Sequence, residues 1–125
     1  LKALVEFVVQ QSGRRDVGEL DAALAERGRQ VFSTGMLKSG ATLTSACTDC
    51  HTMKLAGAAE ALSENSGSGV PTLTGYGGQD WLLRFIQNPA HADFYGDNNQ
   101  MPAFESKLSP QQLDLLVRWM TGDYL

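Results

Sequence analysis

Two cysteines separated by two residues and followed at once by histidine, Cys47-Thr48-Asp49-Cys50-His51, constrain this 125-residue chain more than any other feature. The spacing is the attachment signal for a c-type haem. Two thiols on one tight turn reach the two vinyl groups on neighbouring pyrroles, and the next residue is then held under the ring, where its imidazole meets the iron. The chain has no further cysteine, so the pair has no disulfide partner outside the motif. Other readings of the pair are a thioredoxin-like redox couple, half of a zinc site, or chance. A redox couple needs a surrounding βαβ pattern, which the sequence lacks. A zinc site needs four ligands, and only His91 remains as a conventional one. The cofactor expected is a single haem c, covalent through Cys47 and Cys50, with His51 as its proximal iron ligand.

The chain is long enough for one core. Its net charge of −4 comes without a basic stripe, which argues against a nucleic-acid partner. No apolar run approaches membrane-spanning length. The chain begins at Leu1 with no signal-peptide pattern, and is read as a processed product or a piece of something longer, tethered if at all through sequence outside it. Covalent attachment by this motif implies export, so the expected location is extracytoplasmic: the periplasm or the outer face of the membrane.

The periodicity predicts helices and long loops, and no strand. Leu1 to Gln11 carries Leu1, Leu4, Val5 and Val8 at helical spacing. A second helix is expected from Val17 to Phe32, opened by Asp16 and Glu19 as a capping box, with Leu20, Leu24, Gly28, Val31 and Phe32 on one side. A glycine on that apolar side predicts close approach by another helix. Ser33 to Ala46 reads as a loop or short hairpin, Ala56 to Leu62 as a helical turn or two, and Leu62 to Gly69 as a flexible loop. Gln79 to Gln87 buries Trp81, Leu82, Phe85 and Ile86. Ser109-Pro110-Gln111-Gln112 opens a last helix whose buried side is Leu113, Leu116, Val117 and Met120, with Trp119 beside it.

Residues 16–125 taken together resemble a class I cytochrome c. Gly28 and Phe32 resemble the glycine and aromatic of that family's opening helix, and Leu116 and Trp119 the leucine and aromatic of its closing one. The resemblance implies an all-α, cytochrome c-like fold wrapped around one covalent haem, with the two helices crossing at right angles over the glycine. It also implies that the Pro71 carbonyl accepts the proton of the axial histidine's second nitrogen, and that the Met101-Pro102 loop supplies the sixth ligand. The chain departs from the family in two places: the insertion Ser33 to Ala46, and Val70 where glycine often precedes the proline. More narrowly, Leu73-Thr-Gly-Tyr-Gly, Trp81-Leu, Asn88-Pro and Met101-Pro resemble haem domains found with bacterial quinol–cytochrome c oxidoreductases.

Among sixth-ligand candidates, Met53 lies too close to His51 in sequence to reach the opposite face easily, and Met120 belongs to the apolar side of a helix. Met101 has the loop, while Met36 and His91 stay open. Leu73, Tyr76, Trp81, Phe85 and Phe104 are expected to line the pocket, with Tyr76, Trp81 and Arg84 as candidates to hold the propionates. Asn98 and Asn99 read as solvated loop residues, the alternative being that they bond near the methionine loop. The function implied is one-electron transfer in a respiratory chain, without catalysis. The partners implied are redox proteins: a quinol oxidoreductase, an oxidase or another cytochrome. An open or labile sixth position would instead imply peroxidase-like chemistry or a redox or gas sensor.

Leu1, Leu4, Val5, Phe7 and Val8 line up with Leu113, Leu116, Val117, Trp119 and Met120. Residues 1–15 are therefore expected to be an extra helix and linker, the remnant of a preceding haem domain; the alternative is a helix that pads the surface.

Overall fold

In a computed structural model of the chain, residues 1–64 and 69–123 are described. Among them are four helices: α1 (Lys2–Ser12), α2 (Ala22–Thr34), α3 (Gln79–Gln87) and α4 (Pro110–Met120). A ribbon of two short antiparallel strands, β1 (Met53–Lys54) and β2 (Ala61–Ser63), joins them. The chain is mostly helical with a small sheet. The helical turn expected at Ala56 to Leu62 is replaced by the β1–β2 connection, closed by the Ala58 N–H on the Leu55 carbonyl at 3.1 Å. Residues 65–68 of the expected flexible loop lie outside the described residues.

Sequence signals and observed helix ends agree at α4. The Ser109 hydroxyl accepts from the Gln112 N–H at 3.3 Å, and the Gln112 side chain accepts from the Ser109 N–H at 2.8 Å. This reciprocal cap satisfies two of the helix's orphan donors. They disagree at α2, which starts at Ala22 and not at Val17. Asp21 is the cap: its Oδ1 accepts from the Ala23 and Leu24 N–H groups, each at 3.0 Å. The Asp16 carboxylate is instead paired with the Arg14 guanidinium. Ser33 to Ala46 folds as a small hairpin bridged at Met36 and Thr42, turning at Leu37–Gly40.

The buried apolar residues form two clusters. Trp81, Leu82, Ile86, Phe94, Leu113 and Val117 join α3 to α4. Phe7, Phe32 and Met53 join α1, α2 and β1, with Cys47 and Leu73 packed against them. Gly28 does receive a crossing helix, but the helix is α1 and not α4. A Cβ at Gly28 would lie 1.9 Å from the Ala3 carbonyl oxygen and 2.7 Å from the Phe7 Cβ, so only a bare backbone fits. Phe7 then packs on Phe32 with ring centroids 5.5 Å apart. The expected crossing by the Leu116–Trp119 helix is therefore corrected. Trp119 is exposed, and Met120, expected on the buried side, is exposed as well.

Candidate functional site

The cysteine pair sits on a single 3-10 turn, Cys47–Asp49. Its conformation is fixed by the two residues between the thiols. The Asp49 carboxylate reaches back to accept from the Ala46 N–H at 2.9 Å. The Thr48 hydroxyl donates to the Ser33 carbonyl at 3.3 Å, and the Thr48 carbonyl accepts from the Ser63 hydroxyl at 2.8 Å. The turn is thus tied to the end of α2 on one side and to β2 on the other. The His51 N–H closes it on the Cys47 carbonyl at 2.9 Å. Both thiols are free. Burial pushes the Cys47 thiol up, helped by the neighbouring Asp49 and Cys50.

His51 is oriented from behind. Its Nδ1 lies 2.8 Å from the Pro71 carbonyl oxygen. A carbonyl only accepts, so Nδ1 must carry the proton, and the lone pair is then on Nε2. That is the tautomer and the ring orientation a metal-ligating histidine needs. The Pro71 segment is itself pinned: the Thr72 N–H donates to the Asp93 carbonyl at 2.7 Å and the Leu73 N–H to the Thr52 carbonyl at 2.9 Å. The Trp81 indole N–H donates to the Thr72 carbonyl at 2.9 Å.

That last bond moves Trp81 away from the propionate role considered from sequence. Arg84 is likewise engaged, paired with Asp93 and lying over the Phe94 ring. Tyr76 is exposed, its ring 4.6 Å from that of Trp81. Trp81 and Phe85 stack at 5.0 Å, and Phe94 meets both edge-on at 5.1 and 5.5 Å. Met101 and Phe104 are half-buried against this same aromatic cluster, whereas Leu73 packs with Cys47 in the other.

The other sixth-ligand candidates are placed less suitably. Met53 is fully buried between α1 and α2, Met36 is exposed on the hairpin, and Met120 is exposed on α4. His91 is half-exposed, and its Nδ1 accepts from the Asp93 N–H at 3.1 Å. Asn99 takes the alternative role considered from sequence, and Phe94 was not among the residues expected to line the pocket. Asn99 brackets the Met101 backbone, donating to its carbonyl at 2.7 Å and accepting from its N–H at 3.1 Å. Phe94 is a centre of the aromatic cluster; its signal was an aromatic pair, Phe94-Tyr95, inside an otherwise polar stretch.

Among the described residues, no three His, Cys, Asp or Glu side chains converge as a metal site, so the cysteine pair lacks the further ligands of a zinc centre. Two free thiols on one pinned turn, beside an imidazole with a committed tautomer, fit a covalently held haem.

The family described as cytochrome c oxidase, cbb3-type, subunit III matches residues 36–120. The matched family is an oxidase subunit's, whereas the narrower sequence resemblance was to domains of quinol–cytochrome c oxidoreductases. No curated protein and no solved structure matches the chain significantly. No helix among the described residues is long and apolar enough to cross a membrane.

Proposed function

Because the chain belongs to the cytochrome c oxidase, cbb3-type, subunit III family, whose cytochrome c domains carry a covalent c-type haem, we propose that it transfers single electrons through one His/Met-ligated haem. The haem supplies a one-electron iron couple when bound. The observation that carries this reading is the His51–Pro71 contact: the imidazole directly after the second cysteine is held in the ligating tautomer by a carbonyl that is itself fixed.

The chain's residues divide the work as follows. Cys47 and Cys50 would anchor the group, and His51 would hold the iron through Nε2. Met101 would be the sixth ligand, favoured by its half-buried place against the cluster that contains Trp81 and Phe94 and by the bracket from Asn99. A thioether in that position favours the reduced state relative to a second histidine. Leu73 and the aromatic cluster exclude water. With His51 and Met101 both holding the iron, no place would be left for oxygen or peroxide, and the role is that of a carrier and not a catalyst. The fold is a cytochrome c-like unit over residues 16–125, facing the periplasm and exchanging electrons with components of a respiratory oxidase complex.

Potentiometric titration followed by optical absorbance tests the proposal. The expected result is a reversible one-electron curve, low-spin in both states, with no spectral change when carbon monoxide is added to the reduced protein. A high-spin ferrous spectrum that binds carbon monoxide would reject the carrier reading in favour of an open-site enzyme or sensor.

A further inference from the structure

The chain's two histidines stand at the two ends of one backbone relay. Behind the Nδ1–H of His51 lies the Pro71 carbonyl at 2.8 Å. That carbonyl shares its peptide group with the Thr72 N–H, which donates to the Asp93 carbonyl at 2.7 Å. The Asp93 N–H in turn donates to the Nδ1 of His91 at 3.1 Å. The imidazoles end the relay in opposite tautomers: His51 carries its proton on Nδ1, whereas the neutral His91 ring accepts there and carries its proton on Nε2. A further proton can reach His91 only at Nδ1, the atom that holds the Asp93 N–H. Protonation therefore opens the last link and turns that nitrogen into a donor, with the Asp93 carboxylate 3.6 Å away to receive it. The ring is half-exposed, so solvent reaches it, and it is kept in place by the Phe94 ring at 6.3 Å and by its own N–H on the Asn88 carbonyl at 3.1 Å. The other charged groups facing it are Arg84 of α3, which pairs with the same Asp93 carboxylate, and Glu105, which lines the same small cleft.

We propose that His91 is a redox-linked proton site, taking up one proton from solvent when the protein is reduced and returning it on reoxidation. The inference rests on the reading of His51 as the proximal ligand. Its sign follows from the relay, because hydrogen bonds in a chain polarise one another. In the oxidised state the positive charge beyond His51 sharpens the Nδ1–H and strengthens each bond behind it. The Asp93 N–H is then held firmly on the His91 lone pair, which opposes protonation. Reduction removes one positive charge, relaxes the same bonds and frees that lone pair. By linkage, a proton on His91 makes reduction easier to the same extent. One electron enters from a one-electron carrier protein and one proton from water, and both leave on reoxidation. Within the chain, only the hydrogen bond between Asp93 and His91 is exchanged.

Potentiometry of the haem-loaded protein between about pH 5 and 8, where histidine changes charge, tests this together with NMR titration of the His91 ring protons in each redox state. The midpoint potential should rise as pH falls, and His91 should bind its proton several-fold more tightly in the reduced protein. In His91→Gln the amide oxygen can still accept from the Asp93 N–H but cannot titrate. That variant should lose the His91 part of the slope and keep the parent's melt and spectrum. The Thr72 amide proton should shift with the His91 titration in the parent and stay still in the variant. Equal slopes in parent and variant would overturn the proposal, as would a His91 proton affinity that ignores the redox state or a Thr72 amide that ignores the titration. With a low-spin spectrum, any of these results overturns this inference alone. A reduced protein that binds carbon monoxide rejects the carrier reading, and this inference with it.

Discussion

The Nδ1 of His51 and the carbonyl oxygen of Pro71 lie 2.8 Å apart, joining the residue after the haem-binding cysteines to a segment twenty positions further on. That contact is only as firm as the segment behind it. Trp81 supports it by donating its indole N–H to the Thr72 carbonyl from a site that is nearly sealed from solvent. Trp81→Phe keeps the ring stack on Phe85 but leaves that bond unmade. The expected cost is about 1–2 kcal/mol, seen as a fall of several degrees in the thermal melt. An unchanged melting temperature would mean that the Pro71 segment does not lean on Trp81.

Asn99 acts on the other side of the proposed site. Its amide makes two hydrogen bonds to the Met101 backbone and none to the thioether, so it fixes the loop and not the chemistry. Asn99→Ala should leave the haem attached while loosening the methionine. Groups that orient a metal ligand contribute about 10–100-fold to its hold. Imidazole or cyanide should therefore bind the oxidised variant at least about tenfold more tightly than the parent. Titration followed by the near-infrared sulfur-to-iron band reads this directly.

Gly28 is a position where the fold has no tolerance. Gly28→Val places a carbon on the Ala3 carbonyl and on Phe7, so α1 cannot seat without a backbone shift. Overpacking of this kind costs about 1–3 kcal/mol. The thermal transition should fall by several degrees and α1 should exchange its amide protons faster, while the haem stays attached through a turn that does not touch the substitution.

Much of this was legible in the sequence, and what was not has identifiable causes. α3 and α4 follow from periodicity and caps that are local, as does the cysteine turn. The start of α2 was misplaced because Asp16 and Glu19 have the spacing of a capping box, whereas Asp21 accepts the first helical N–H groups and Asp16 pairs with Arg14. β1 and β2 are too short to carry an alternating pattern. β2 is held in part by a Ser63 hydroxyl on the Thr48 carbonyl that no local rule anticipates. The glycine correctly announced a helix crossing, but α1 and α4 present the same spacing, so sequence alone cannot name the one that seats. For Asn99 the sequence left two readings, a solvated loop residue or a bond near the methionine loop, and the second is observed; its partner is a backbone group, which leaves no mark on sequence.

The Arg14–Asp16 pair gives the linker a pH dependence. Hydrogen bonding from Arg14, together with its charge, holds the Asp16 carboxyl below the usual carboxylate range. A carboxyl shifted down on folding stabilises the folded state above its unfolded pKa, about 3.9, and that contribution is lost as pH falls through the folded value. Below about pH 4 the linker should loosen. Because the pair is solvated the effect should be shallow, and Asp16→Asn should remove it. Hydrogen exchange of residues 14–20 between pH 3 and pH 6, corrected for intrinsic rates, checks both statements. Parent and variant with the same acid limb would show that the pair carries no such role.

All of these expectations rest on Cys47 and Cys50 holding a haem through covalent bonds. The intact mass of the chain, expressed with export and haem attachment and then extracted in acid to strip any loosely held group, measures this most directly. The expected mass is that of the polypeptide plus one haem, reverting to the polypeptide alone in the Cys47→Ala, Cys50→Ala variant. A parent chain that reaches the periplasm and still weighs only its polypeptide would contradict the account at its base.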